Sequence, residues 1–262
     1  MTKENFSHCR AVIVDLDRTL LHTDKSLSAR NLRALKECRK MGLKIMVATA
    51  RPWRCIQEYR EQFLFDAYTV TNGAIILCGD QKITYTIAQS SAQWILSHLY
   101  AMPDLLISVE MGNDVYSNRP VPDYESTIYD HFPRIPPGEA IYKILVNLEK
   151  EETLRQIQSF LPDDTHATVS NGHLMQIMSK HAKKWNGIQR MLAFFGISPE
   201  DALYFGDDQD DIEPLKQCGV GVAMENAIPE ARQAADDIAA CNDADGVAAW
   251  LEAHFGFSFL HI

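Results

Sequence analysis

Short apolar runs alternate with amphipathic stretches at both ends of the chain. Ala11 to Leu16 (AVIVDL) opens with four consecutive apolar residues, and Leu43 to Thr49 (LKIMVAT) is a second run of the same kind. Both are brief and rich in β-branched residues, which predicts buried strands rather than helices. Between them Ser28 stands at a capping position, Leu32, Leu35 and Cys38 recur at helical spacing, and Gly42 marks a stop. Strand, helix and strand with short joints form a βαβ unit and therefore a parallel sheet. Tyr68 to Leu77 (YTVTNGAIIL) predicts two short strands about a tight turn at Asn72-Gly73. The alternation resumes near the other end. A helix is expected from Lys184 to Phe195, stopping at Gly196. Strands are expected at Ala202 to Asp207, Val220 to Met224 and Asp237 to Cys241, and a closing helix at Gly246 to Phe255.

The middle of the chain has another texture. ITYTI, LLISVEMGNDVYSN, AIYKILVNL, HATVS and HLMQIM read as strands, with helices at Ser91 to Tyr100 and Glu151 to Leu161 between some of them. Gly112-Asn113-Asp114 predicts a hairpin turn, and Pro133 to Ala140 (PRIPPGEA) a proline-rich connection. Successive strands inserted into an α/β alternation argue for a separate α+β domain. The expected fold is α/β: a doubly wound, Rossmann-like parallel-sheet core formed by residues 1–78 and 183–262, with a smaller α+β domain at 79–182.

Composition narrows the range of functions. Of 262 residues, 46% are hydrophobic and 23% charged, as in an ordinary globular protein. The net charge of −10 makes nucleic acid a poor partner, because counterion release rewards basic surfaces. No stretch approaches the ~18 apolar residues of a membrane span, and the polar start MTKENFSHCR has no signal-peptide pattern. Six scattered cysteines without a CxxC pair are expected to be reduced thiols of a cytoplasmic protein.

Carboxylates then change the picture. Asp15 closes the first strand, Asp17 follows two residues on, and FGDDQDD closes another strand with Asp207, Asp208, Asp210 and Asp211. Open α/β sheets bind ligands at the carboxyl ends of their strands. If the two strands are neighbours, Asp15, Asp17, Asp207 and Asp211 crowd one crevice. Two unit charges ~4 Å apart repel by about 4 kcal/mol at an effective dielectric of ~20. Such a cluster calls for a cation, and oxygen-only donors favour Mg²⁺. Thr49, at the end of the second strand and before a helix start, suits phosphate oxygens, as does a lysine opening the Lys184 helix.

These segments resemble the haloacid dehalogenase-like hydrolases, in particular the Cof-type sugar-phosphatase branch with an inserted α+β cap. The family's DxDxT is similar to Asp15-Leu16-Asp17-Arg18-Thr19, its S/T-Gly-Arg to Thr49-Ala50-Arg51, its phosphate lysine to Lys184, and its GDGxND to Gly206 through Asp211. TNGAII, GVAMENA and DADGVAAWL resemble further segments of the branch. The resemblance implies a phosphatase in which Asp15 is the nucleophile and Asp17 the acid and base. Thr49 and Lys184 would hold the phosphoryl oxygens. Mg²⁺ would sit on the Asp15 carboxylate, the Asp17 carbonyl and Asp207, with Asp211 close by.

Arg18 replaces a common glycine. It either touches substrate or pairs with surface acids, and the second is preferred. Arg51, Asn72, Asn113 and Asp114 are further candidate substrate contacts. The expected partner is a small phosphorylated metabolite, by resemblance a sugar phosphate, and the oligomeric state is not readable. Two other readings compete, a phosphomutase on the same scaffold and a non-catalytic phospho-acceptor module. A phosphomutase would need a second phosphate grip, yet the inserted domain has no arginine cluster. A non-catalytic phospho-acceptor module would lack both Asp17 and the insertion.

Overall fold

The computed structural model describes residues 8–102, 104–122, 126–129, 138–170 and 172–257. The chain divides into a larger unit, which runs to Ile83 and resumes at Lys184, and a smaller unit, Thr84–Lys183.

The larger unit begins with β1 (Ala11–Val14), α1 (Ala29–Lys40), β2 (Lys44–Ala48), α2 (Gln57–Gln62), β3 (Ala67–Val70), β4 (Ile75–Cys78) and β5 (Gln81–Thr84). Every residue of β1 is fully buried, as a central strand covered on both faces requires. Ser28 caps α1 by accepting the Asn31 amide, and α1 buries Ala34, Leu35 and Cys38. Leu32 lies at the margin of that stripe, and buried Asn31 takes the inner position instead. The Asn31 amide nitrogen donates to the Leu20 carbonyl, while its oxygen accepts from Ala248 N, so one polar side chain fixes the loop after β1. The expected turn at Asn72-Gly73 joins β3 to β4 as an antiparallel pair.

The smaller unit holds α3 (Gln89–Tyr100), β6 (Ile107–Met111), β7 (Asp114–Ser117), β8 (Thr127–Ile128), β9 (Ile141–Asn147), α4 (Glu151–Gln158), β10 (Thr165–Ser170) and β11 (Leu174–Ser179). Its sheet order is β10-β11-β9-β6-β7-β8. Ile95 and Leu99 of α3 and Ile157 of α4 share a buried cluster with Val109, Ile144 and Ile177 from the sheet. Gly112 turns the β6–β7 hairpin at φ +61°, where Met111 pairs with Asp114. Most of the expected connection at Pro133 to Ala140 lies outside the described residues.

The larger unit then resumes with α5 (Lys184–Phe194), β12 (Ala202–Gly206), α6 (Ile212–Gln217), β13 (Val220–Met224), α7 (Pro229–Ala234), β14 (Asp237–Ala239) and α8 (Gly246–Phe255). Its sheet order is β14-β13-β12-β1-β2-β3-β4-β5, parallel from β14 through β3. The ITYTI segment is not one strand. Gln81–Thr84 forms the edge of the large sheet, while Ile87 bridges to Ile141 of the smaller unit. The sheet therefore carries the larger unit past the boundary expected at Gly79. No helix among the described residues is long and apolar enough to cross a membrane.

Candidate active site

After β1 the chain moves to β2 on one side, whereas β12 pairs with β1 on the other. The carboxyl ends of β1 and β12 therefore flank the crevice where the strand order reverses, the usual ligand position of such sheets. Asp15 leaves β1 with its amide donating to the Phe205 carbonyl at 3.0 Å, which sets it beside the β12 end that carries Asp207. On the other side, Thr49 leaves β2 and Asn72 follows β3, with Asn72 N donating to the Thr49 carbonyl at 3.1 Å.

Asp15, Asp207 and Asp211 are buried, and each offers a carboxylate oxygen within 4.8 Å of the others. Asp211 is saturated. One oxygen accepts the amides of Asp207 and Asp208 at 2.8 and 2.9 Å, and the other accepts Tyr204 Oη at 2.5 Å and Lys184 Nζ at 2.6 Å. Gly206 makes this fold possible, since a Cβ there would meet Asp211 Cβ and Cγ at 2.6 Å. Lys184 also reaches Asp15 Oδ1 at 3.1 Å. Lys180 and Lys183 are exposed, so Lys184 is the lysine that enters the cluster.

Thr19 Oγ1 donates to Asp207 Oδ1 at 3.1 Å. Arg18 adopts φ +57°, a conformation that glycine takes more readily. Among the described residues it pairs with an acid of the cluster rather than with outlying surface acids. Its Nε lies 3.4 Å from Asp207 Oδ2, and its Nη2 donates to the Asn226 carbonyl at 2.8 Å while Asn226 Nδ2 returns a bond to the Arg18 carbonyl.

Asp17 has partners of its own. Arg51 grips its carboxylate with Nε at 2.6 Å and Nη2 at 2.8 Å, and Lys25 Nζ adds a contact at 2.7 Å. The crowding of four acids expected from the sequence is thus reduced to three, with Lys184 and the half-exposed Arg18 as their cations. Thr49 is buried, with its hydroxyl accepting the Arg51 amide at 3.2 Å. Asn72 Nδ2 bonds Asp210. Asn113 and Asp114 belong to the smaller unit, at the β6–β7 turn.

Electrostatics follow the packing. Burial, with Asp211 and Asp207 nearby, pushes the Asp15 carboxyl well above its usual range despite Lys184. Burial and Asp211 push Asp207 up to about 7, against the pull of Lys184 and Arg18. Burial works against the Lys184 ammonium, but Asp15 and Asp211 more than offset it, so the lysine stays charged. Burial also raises Asp17, yet the bonds from Arg51 and Lys25 prevail and hold it at about 2. Asp15 and Asp207 are therefore short of positive charge. An all-oxygen donor set lacking positive charge suits a hard divalent cation. With Asp211 fully engaged, Asp15 and Asp207 are the carboxylates left to hold one.

The sequence profile of the haloacid dehalogenase-like hydrolases matches residues 12–251. The chain belongs to this family. Among relatives, the hydrolase is 28% identical to the 5-amino-6-(5-phospho-D-ribitylamino)uracil phosphatase YitU of Bacillus subtilis, over 93% of this chain and 97% of the relative. It is 23% identical to the phosphatase of the same name, YbjI, from Escherichia coli, over 91% and 93% of the two chains. Its fold is shared with the HAD subclass IIB sugar phosphatase BT4131, with a TM-score of 0.82 and 22% identity over 94% of this chain and 99% of that one. The enzyme class is that of a phosphoric monoester hydrolase.

Sequence reasoning missed Tyr204, Lys25, Tyr59 and Asn226. Tyr204 alternates with apolar neighbours in β12 and looks like core, and only the buried acid beneath it gives its hydroxyl a task. Asn226 lies in the GVAMENA segment, and nothing in the sequence names its partner.

Proposed function

We propose that this hydrolase is a Mg²⁺-dependent phosphatase that acts on a small sugar or polyol phosphate through an aspartyl-phosphate intermediate. The observation that carries the reading is buried Asp15, positioned between the Lys184 ammonium and the Asp207 carboxylate at the switch point of the sheet. An Asp15 oxygen attacks phosphorus in line, the P–O bond to the substrate alcohol breaks, and the phosphoryl group is left on Asp15. Asp17 gives a proton to the departing oxygen, then takes one from the water that hydrolyses the acyl phosphate and restores Asp15. Arg51 and Lys25 favour the carboxylate form of Asp17, which suits the second half of this cycle. For the first half, Asp17 takes up a proton on an oxygen lone pair that these bonds leave open, while Arg51 and Lys25 keep the direction of the group. Thr49 and Lys184 hold the transferring oxygens. Asp15, Asp207 and the Asp17 carbonyl would hold Mg²⁺, which offsets the repulsion between carboxylate and phosphate when bound. Asp211 orients Lys184 and the Asp207 backbone.

The named substrate of YitU and YbjI carries its phosphate on a ribityl chain, and BT4131 is named a sugar phosphatase. A phosphate ester on a polyhydroxylated carbon is what these names share. Choice among such esters is assigned to the smaller unit, with Asn113 and Asp114 as candidate contacts, and to Arg18, Arg51 and Asn72 in the larger one. A cytoplasmic setting is supported by the six cysteines standing as free thiols rather than in disulfides.

A phosphate-release screen over phosphorylated metabolites tests this reading. Release is expected with sugar and polyol phosphates, abolished by EDTA, restored by Mg²⁺ and absent in a folded Asp15→Asn variant. Near-normal turnover by that variant would remove Asp15 as the nucleophile.

A further inference from the structure

Asp17 is part of a closed circuit of hydrogen bonds that the reaction scheme does not by itself demand. Arg51 grips the Asp17 carboxylate with two nitrogens, and its third, Nη1, donates to Tyr59 Oη at 3.1 Å. Tyr59 Oη donates to the Lys25 carbonyl at 3.0 Å, and Lys25 Nζ returns to Asp17 Oδ1 at 2.7 Å. Tyr59 is 2% exposed on α2, and its ring also lies 5.2 Å from the Arg51 guanidinium carbon.

A phenol has one proton to give and lone pairs to accept with. Here the proton goes to the Lys25 main chain and a lone pair takes the Arg51 N–H. One hydroxyl thus fixes both cations that hold Asp17, one through its side chain and the other through its backbone. The Lys25 backbone needs such a fixture. Its φ is +70°, a conformation that a lysine does not hold without support. Without the hydroxyl, Arg51 Nη1 keeps, among the described residues, a 3.4 Å contact to the Cys55 carbonyl, and the Lys25 carbonyl loses its tyrosine donor.

We propose that Tyr59 is a positioning residue for Asp17: through Arg51 and Lys25 it sets the direction of the carboxylate that handles the substrate's proton. The proposal rests on the acid–base role assigned to Asp17 above. Tyr59 touches neither phosphate nor metal in that scheme, so its loss falls on one step. A group misplaced by about 1 Å can cost two orders of magnitude, and a general acid contributes roughly 10²- to 10⁴-fold. A partial loss of order is therefore expected to cost about tenfold where leaving-group protonation matters, and little where it does not.

The test is single-turnover phosphoryl transfer from p-nitrophenyl phosphate and from benzyl phosphate, with Mg²⁺ saturating. Tyr59→Phe, which keeps the ring and its packing, should lose about tenfold on benzyl phosphate and less than about twofold on p-nitrophenyl phosphate. Lys25→Met, at a half-exposed side chain whose loss spares the fold, should show the same pattern. In an Asp17→Asn background, Tyr59→Phe should add nothing, because no carboxylate remains to be directed. Equal losses on both esters, no loss on either, or full additivity with Asp17→Asn would overturn the positioning role. If Asp17→Asn itself fails to discriminate between the esters, the acid–base reading falls and the proposal with it. If Asp17→Asn discriminates and Tyr59→Phe does not, only the proposal falls.

Discussion

Asp15 and Asp211 carry the same side chain into one buried cluster, and their surroundings give them opposite consequences. Asp211 accepts two backbone amides, a tyrosine hydroxyl and an ammonium, so its charge is matched and it ties β12 to α5. Asp15 has Lys184, and its carboxyl is pushed up by burial and by neighbouring acids. Removing Asp211 leaves Lys184 and two amides facing a hole, and breaking a buried pair of this kind costs about 3–5 kcal/mol. Asp211→Ala is therefore expected to lower the melting temperature by roughly 6 to 20 °C, at about 2–4 °C per kcal/mol for a chain of this size. Asp15→Asn removes a charge that the fold disfavours while keeping an acceptor for Lys184. Its melting temperature in EDTA should equal or exceed that of the native protein. Thermal melts followed by circular dichroism check both, and equal destabilisation by the two substitutions would contradict the division of roles.

At the scale of elements, the site is made by short turns at strand ends, and the β12 turn is the least forgiving. Asp208 accepts the Gln209 amide, while Asp211 folds back beneath Gly206 to accept the amides of Asp207 and Asp208, the two residues that follow the strand. Gly206→Ala would drive a Cβ into Asp211 Cβ and Cγ, atoms too close to the backbone to swing aside. Asp211 would shift, taking Lys184 with it. The expected result is a loss of at least about a hundredfold in kcat, as for other small misplacements of reacting groups, with the circular dichroism spectrum retained. Steady-state kinetics at saturating Mg²⁺ measure it.

The main elements were legible in the sequence because strands such as β1 and β12 are apolar throughout and Ser28 and Gly42 bracket α1. The acids Asp15, Asp207 and Asp211 were legible because the carboxyl ends of parallel strands lie on one side of a sheet. Partnerships were not. The apolar run of β12 places Tyr204 in the core but does not say where its hydroxyl points, and Tyr59 stands among polar residues that give no sign of its burial. Likewise the β5 edge strand, with its polar Gln81-Lys82, carries too little apolar signal to extend the larger unit past Gly79.

For the molecule as a whole, these local charges set how stability depends on pH and metal. Asp207, raised to about 7, and Asp15, raised well above its ordinary value by burial, both bind protons more tightly folded than unfolded. Where the native state holds more protons than the unfolded chain, stability falls as pH rises. The Asp207 contribution is thus favourable near the unfolded carboxyl value, about 4, and is lost as pH climbs through about 7, and that of Asp15 has the same sign. Asp17 has the opposite sign. Held at about 2, it adds stability above the unfolded value that disappears only as pH falls through the folded one, so it is level between pH 5 and 8. Over that window the acid cluster alone slopes downward in the metal-free protein. A divalent cation on Asp15 and Asp207 favours their ionised forms and competes with their protons. The rise in melting temperature produced by saturating Mg²⁺ over EDTA should therefore be small at pH 5 and increase steadily to pH 8. In Asp207→Asn the rise should be smaller at every pH and its dependence on pH flatter. Scanning calorimetry at four pH values, with and without Mg²⁺, measures both trends. A rise that is constant across the range would mean that the cation binds away from these two carboxylates.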